Sequence, residues 1–242
     1  MKNLIILICI FFPFFSFALS IDTMVKIADD NGEGTYTVQN NEKYPVFVNV
    51  KLAKMSIINN KLKKIFYNKD NILMWEASVS QNKFILDAGK QKYIGIRALC
   101  SDSCDENQDS VFSAQFTPTP YSKDGKPVKG VSINYGYESI FIVPAKNKQI
   151  SYSITRTDDK VKIENMSNTT IEAFFNQCTG MFKSDCSVKT VLLPGNTRNI
   201  TLPKNARQNK VNTHISSIDK AFYKKEILRS TDRIKFSKKI DV

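Results

Sequence analysis

Large apolar side chains alternate with small or polar ones in short runs along the chain, which is the period of half-buried β-strands. The clearest run lies between residues 131 and 137. Its large side chains all fall on one face: Val131, Ile133, Tyr135 and Tyr137. Further runs of this kind occur at residues 35–38, 46–52, 83–86, 91–97 and 111–116. We therefore predict β-strands at these positions.

Turn residues separate the runs. Asp87, Ala88 and Gly89 join two predicted strands through a tight glycine turn. Pro118 follows the run at 111–116, and because proline cannot donate to a β-ladder, we predict that this strand ends there. Strands that recur about every 8 to 12 residues between turns are typical of a β-sandwich or a barrel.

The strands fall into two sets. An apolar run at 140–143 ends at Pro144, and a second set of alternating runs follows it. We predict an amino-terminal domain over residues 21–146 and a smaller carboxy-terminal β-sandwich domain over residues 147–216. Charged residues dominate the remaining segment, 217–242. This basic tail is either a last edge strand with a frayed end or a flexible arm.

The amino terminus has the pattern of a secretory signal peptide. Lys2 precedes an apolar run from Leu4 to Phe17, and the small residues Ala18 and Ser20 follow it. The run is shorter than the roughly 20 residues of a membrane-spanning helix, although a retained anchor is the alternative. We predict residues 1–20 as a cleaved signal, so that the mature protein is exported and starts near Ile21.

Four cysteines lie beyond the predicted signal: Cys100, Cys104, Cys178 and Cys186. An even number in an exported chain indicates disulfides. Three pairings are possible, and the local spacing favours Cys100 with Cys104 and Cys178 with Cys186. The spacings do not match the usual zinc-binding pairs, and no histidine is near in the sequence, so we predict no metal site.

The formal net charge of +12 attracts acidic partners without specificity. An exported chain does not routinely meet nucleic acid, and no nucleic-acid-binding motif is present, so a basic solvated surface is the simpler interpretation. Catalysis is not expected either. His214 is the only histidine, and it lies in a polar stretch without a nucleophile elbow or a phosphate-binding loop. We predict no enzyme activity and no cofactor.

Several runs together resemble the periplasmic chaperones of the chaperone-usher pathway, which assemble pili, and most closely their alternative branch. These runs are Lys83–Gly89, the alternating Val131–Tyr137 run ahead of Pro144, Lys162–Asn165 and Leu193–Asn196. A cysteine pair placed like Cys178 and Cys186 is also similar to that branch. The resemblance implies an all-β fold of two immunoglobulin-like β-sandwich domains set at an angle, with the subunit bound along the first domain.

The resemblance also implies a mechanism for the 131–137 run. A pilus subunit lacks one strand, and the chaperone inserts the last strand of its first domain into the open sheet. The inserted row would be Val131, Ile133, Tyr135 and Tyr137. From the residues alone, the favoured interpretation is that this row faces the core of its own domain, as half of any sandwich strand does. The resemblance favours the donated strand.

Members of the main branch clamp the subunit's terminal carboxylate with an arginine in the first strand and a lysine on the inserting strand. Lys26 is the nearest basic residue to the first position, whereas the second falls at about Ser139, which is not basic. We take Lys26 as the carboxylate anchor, with Arg97 as a substitute.

The partners that the resemblance implies are pilus subunits and an outer-membrane usher, in the periplasm. We expect no nucleic-acid partner and no stable membrane insertion. The sequence leaves open whether the free protein covers its own strand as a homodimer. The alternative is a secreted immunoglobulin-like adhesin or pilus structural protein, but subunits have one incomplete domain, and two strand sets favour the chaperone.

Overall fold

The computed structural model describes residues 18–99, 106–121, 135–178, 185–203 and 210–240. Within these residues the chain forms eighteen strands and a short 3-10 helix (Lys69–Met74). The first ten strands are β1 (Leu19–Ile21), β2 (Val25–Ile27), β3 (Glu33–Asn40), β4 (Val46–Ile58), β5 (Lys61–Phe66), β6 (Ala77–Val79), β7 (Lys83–Leu86), β8 (Gln91–Ala98), β9 (Ser110–Pro120) and β10 (Tyr137–Val143). The others are β11 (Lys148–Thr157), β12 (Lys160–Asn165), β13 (Ile171–Asn176), β14 (Ser187–Leu192), β15 (Thr197–Thr201), β16 (Lys210–Ser217), β17 (Tyr223–Arg229) and β18 (Arg233–Ile240).

The first ten strands form two sheets that face each other. One sheet has the order β1-β3-β8-β6, and the other has the order β2-β10-β9-β4-β5, with β7 also paired to β4. Every pair is antiparallel except β2 with β10, which is parallel. Between the sheets lies a core with large aromatic side chains, among them Tyr36, Phe112, Phe116 and Phe141, all fully buried.

The remaining strands form a second sandwich. Its sheets have the orders β15-β12-β11-β18 and β14-β13-β16-β17, and all their pairs are antiparallel. The core of this second sandwich includes Ile150, Tyr152, Ile163 and Phe175, which are fully buried because each strand turns alternate residues inward. The predicted all-β fold with two sandwich domains is confirmed.

The two sandwiches are joined by an apolar cluster and by a buried carboxylate. Met55, Val111 and Ile142 of the first pack with Leu193 and Ile218 of the second. One Asp109 carboxylate oxygen accepts the N–H of Ala145, in the connection between the sandwiches, at 2.8 Å. The other oxygen accepts the N–H of Thr170, in the second sandwich, at 2.6 Å. Asp109 therefore ties three parts of the chain together.

The segment that the sequence analysis treated as a tail contributes to both sheets of the second sandwich. Its two strands, β17 and β18, pair with β16 and β11 respectively. β18 has the burial pattern of an edge strand, since Ile234 and Phe236 pack on the core while lysines and an arginine lie outside. The periodic apolar residues of this segment are thus structural, in spite of its high charge.

β9 extends to Pro120, so the prediction that this strand ends at Pro118 is wrong. The N–H of Tyr121 donates to the Pro45 carbonyl on the β4 side, at 3.0 Å. Because backbone groups alternate in direction along a strand, the nitrogens of Pro118 and Pro120 point away from β4. On that side, β10 pairs with β9 only as far as Phe116 in the part of the chain that the structure describes. Among the described residues, no strand pairs with the side of β9 that these two nitrogens face, so neither proline removes a ladder hydrogen bond there.

The predicted disulfide between Cys178 and Cys186 is confirmed, with 5.0 Å between the two Cα atoms. It closes the connection between β13 and β14. Cys100 and Cys104 lie outside the described residues, as does most of the predicted signal peptide. Its last residues, Leu19 and Ser20, belong to β1, and Leu19 is only 2% exposed. Cleavage after Ser20 stays a prediction.

Candidate functional site

The edge of β10 is only partly covered. β10 pairs with β9 from Tyr137 to Val143, but with β2 only through Ile140 to Ile142. The N–H of Ile140 donates to the Met24 carbonyl on the β2 side, at 2.9 Å. By the alternation of backbone groups, the N–H and C=O of Glu138 point toward the same side, and the described residues include no strand beside them. This edge can accept a strand from another chain.

The two described residues of the predicted row have different surroundings. Tyr137 is half-buried and packs against the core of the first sandwich, together with Phe141 and Phe116. Tyr135 is 64% exposed. Val131 and Ile133 lie outside the described residues. The predicted row is therefore packed on the core of the first sandwich at Tyr137 but exposed at Tyr135. The role of these side chains in binding stays a prediction.

Lys26 lies in β2 beside this edge, next to Phe141 in the parallel register. Its ammonium forms a 2.7 Å ion pair with Asp22 and lies 5.5 Å from the centroid of the Tyr36 ring. Gly34 leaves the necessary room, since a Cβ there would lie 3.1 Å from both the Lys26 stem and the Phe141 ring. Burial would raise the pKa of Asp22, but hydrogen bonds from Lys26 and the Thr37 amide outweigh it and lower the pKa.

Two buried hydroxyl groups lie behind this ion pair. Tyr36 and Ser139 are both fully buried, and neither side-chain oxygen completes a hydrogen bond within the described residues. Burial raises the pKa of the Tyr36 phenol to about 12, against the opposing effect of the nearby Ser139 hydroxyl. A buried hydroxyl without a partner costs free energy. The position that the sequence analysis found lacking a basic residue therefore holds a buried polar group instead.

A second ion pair lies on the outer face of the same sheet. Lys64 of β5 reaches Glu138 of β10 at 2.5 Å, and the Ser113 hydroxyl donates to the same carboxylate. Burial would raise the pKa of Glu138, but Lys64, Ser113 and Gln115 together lower it. Sequence reasoning missed this pair because its members are 74 residues apart and the intervening register is not visible in the sequence.

Arg97 lies on a different sheet from Lys26. It belongs to β8 and is paired in register with Glu33 of β3. Its neighbour Ile96 is buried in the core, so Arg97 has the outward-facing, exposed position of its strand. The two predicted carboxylate anchors therefore lie on different sheets of the first sandwich and on different strand pairs.

The described residues provide neither a cluster of metal-binding side chains nor a membrane-spanning helix. They include no cluster of three or more histidine, cysteine or acidic side chains that could hold a metal ion. His214 lies in the second sandwich, between the rings of Phe174 and Tyr223. Among the described residues, no helix has the length and hydrophobicity needed to cross a membrane.

Comparisons with known proteins agree with this picture. Residues 21–144 match the family model described as the CS5 fimbrial protein N-terminal domain. An uncharacterised 25.9 kDa protein from the CS5 3' region of Escherichia coli is 26% identical over 197 residues, which cover 80% of this chain and 85% of that protein.

The fold is also similar to solved structures of pilus chaperones. The class 5 fimbriae chaperone CfaA has a TM-score of 0.51 and 17% identity, over 86% of this chain and 98% of that chain. A chain in the complex of the SafA pilin with the SafB chaperone from Salmonella enterica has a TM-score of 0.53 and 14% identity, over 89% of this chain and 99% of that chain. At these identities the likeness shows the fold, which is the two-sandwich fold expected from the sequence.

Proposed function

The chain belongs to the family of the CS5 fimbrial protein N-terminal domain, and from this premise we propose that it is a periplasmic chaperone for pilus subunits. It binds an incomplete subunit by adding the edge of β10 to the subunit's sheet, which is donor-strand complementation. It then delivers the subunit to an outer-membrane usher. The role is one of binding, with no reaction catalysed.

The open edge at Glu138 is the observation that supports this function most directly. A strand edge left uncovered is an aggregation hazard that proteins usually block. Here the covering strand, β2, is three residues long and runs parallel to β10, so that it begins opposite Ile140 and ends opposite Ile142. Since no described strand lies beside the backbone groups of Glu138, they can pair with a subunit strand, whose own open edge would be covered at the same time.

We propose that the side chains ahead of Tyr137 fill the subunit's apolar groove. Tyr137 fixes the strand to the core of the first sandwich, and Tyr135 is already exposed. Val131 and Ile133 continue the row, because they have the same parity as Tyr135. In this arrangement the first sandwich holds one end of the strand and the subunit holds the other.

We propose that Lys26 pairs with the subunit's terminal carboxylate. Its ammonium lies beside the open edge, and Asp22 already holds an anion position next to it. The buried Tyr36 and Ser139 hydroxyls are further candidate donors to this carboxylate, since both lack hydrogen-bond partners among the described residues. Arg97 stays the second candidate, although its strand belongs to the other sheet.

A pilus structural protein is the less favoured function. Such a subunit lacks a strand in its own sandwich, whereas each domain of this chain has two sheets of four or more strands around a closed core.

Co-expression with a cognate pilus subunit tests the function. The wild-type chain should keep the subunit soluble in the periplasm as a one-to-one complex. Tyr135→Asp should lower the soluble subunit by at least about tenfold, because a charge would enter an apolar groove. Tyr93→Asp is the matched control, since Tyr93 is also 64% exposed but lies on β8. Equal subunit recovery with both variants would contradict the assigned strand.

A further inference from the structure

The loop after β5 is held rigidly by its polar groups. The Asn71 side-chain oxygen accepts hydrogen bonds from the Asn68 N–H, at 2.9 Å, and from the Trp75 indole, at 3.0 Å. The Asn71 amide donates to the Phe66 carbonyl at 2.8 Å. Trp75 also stacks on Tyr67, with 5.5 Å between the ring centroids. One asparagine thus ties both ends of the loop together.

The apolar residues of this loop point into solvent. The 3-10 helix (Lys69–Met74) buries none of its residues. Its last three side chains, which we call the apolar knob, are Ile72, 60% exposed, Leu73, 99% exposed, and Met74, 59% exposed. A rigid loop that exposes three consecutive apolar side chains gains no core stability from them, so their exposure indicates a binding role.

The surroundings of the apolar knob are basic. Lys69 opens the helix, and Lys61 and Lys63 lie on β5, the edge strand that leads into the loop; all three are exposed. No ion pair involves these three lysines within the described ranges. Asp70 is the one acidic residue between Lys61 and Met74. The charge complement of this surface is therefore anionic.

We propose that the apolar knob docks reversibly on an anionic phospholipid surface. Leu73 projects fully, so the knob is a protrusion suited to entering an acyl boundary. Three side chains offer far less than the roughly 800 Å² that each partner contributes to a specific protein interface. Lysines near a membrane surface are attracted by anionic headgroups, and the aromatic pair of Trp75 and Tyr67 at the base suits the interfacial layer.

The apolar knob follows β5, which lies away from the proposed subunit site on β10, so lipid and subunit could bind at the same time. β5 and β10 lie toward opposite sides of one sheet, with β9 and β4 between them. A membrane at the apolar knob would therefore leave the open edge at Glu138 uncovered. The lipid binding itself does not depend on the chaperone function, and the two can be tested separately.

Flotation of the purified full-length mature chain with vesicles tests the proposal. We expect binding to vesicles of phosphatidylglycerol and phosphatidylcholine, and at least about tenfold weaker binding to phosphatidylcholine alone. Leu73→Asp should weaken binding to the anionic vesicles by about tenfold or more. Ile227→Asp is the control, because Ile227 is 50% exposed on the second sandwich and the substitution changes the net charge equally. Circular dichroism and thermal melting establish that both variants are folded.

Three outcomes would overturn the proposal. The wild-type chain could fail to float with anionic vesicles, or both aspartate variants could lose binding equally, which would show non-specific attraction by the net charge. Leu73→Asp could also leave vesicle binding intact while abolishing a complex with a protein of the assembly pathway, and the knob would then be a protein contact. Subunit recovery should be unchanged in Leu73→Asp, so loss of lipid binding and loss of the chaperone function are distinguishable.

Discussion

The six-stranded sheet of the first sandwich has two sides of different construction. Toward one side, β2 covers only three residues of β10, and none of the strands that the structure describes lies beside the backbone of Glu138. Toward the other side, β5 is paired along all six of its residues with β4, and three of those six residues are lysines. Lysine on an edge strand opposes pairing with another chain. The sheet therefore leaves part of the β10 edge available for pairing, whereas the lysines of β5 oppose pairing at the opposite edge.

The strands at the two sides also differ in how deeply their aromatic side chains are buried. Phe141 of β10 is fully buried, whereas Phe66 of β5 is 42% exposed. We expect Phe141→Ala to lower the free energy of unfolding by about 3 to 5 kcal/mol, and Phe66→Ala by less than about 1.5 kcal/mol. Urea denaturation measures both. Equal losses of unfolding free energy would show that Phe141 of β10 contributes no more to stability than Phe66 of β5.

The strands on the open side are also connected to the second sandwich, through the carboxylate of Asp109. Asp109 lies one residue before β9, and burial raises the pKa of its carboxyl in spite of the opposing Ala145 and Thr170 amides. Asp109→Asn replaces one of the two acceptor oxygens by an NH2 group, so we expect a stability loss of about 1 to 2 kcal/mol.

The sign of the pH dependence follows from the raised pKa of Asp109. Its contribution is complete below the unfolded-state value of 3.8 and is lost as the pH rises through the folded-state pKa. The difference between the wild type and Asp109→Asn should therefore narrow with increasing pH, in urea denaturations across the range. A difference that widens with pH would contradict this assignment.

The smallest expected effect concerns the ion pair that bridges the two sides. Glu138→Gln should cost less than about 1 kcal/mol at pH 7, because Lys64 and Glu138 are both partly solvated. The pKa of Glu138 is lowered, so its contribution is present above the unfolded-state value of 4.5 and is lost as the pH falls through the folded-state pKa. The variant and the wild type should converge in acid. Lys64→Met serves as the reciprocal test, since it removes the same pair from β5.

Alternation in the sequence predicted most strands of the first sandwich, because each buries one face and exposes the other. The pattern predicts the wrong end for β9, which continues through Pro118 to Pro120. A period shows which side chains share a face, but it does not show which side of a strand lacks a neighbour. Proline is tolerated on that side, so the error has a physical cause.

The candidate site was predictable in part for the same reason. The family resemblance points to Lys26 as the carboxylate anchor, and the structure has Lys26 in β2 beside β10, while its role in binding stays a prediction. Tyr36, Ser139 and the Lys64 to Glu138 pair were missed, because they meet only through the register of strands far apart in sequence. Val131 and Ile133 stay predictions, since they lie outside the described residues.

Because β2 is short, the position at which it begins determines how much of the β10 edge remains for a partner strand. The Met24 carbonyl accepts the N–H of Ile140, so a strand that pairs along the amino-terminal part of this edge would find its last available position at Glu138. Two strands cannot share one row of backbone groups. If the proposed subunit strand pairs with β10, the residues around Met24 would set the length of that pairing, and moving them along β10 would lengthen or shorten it.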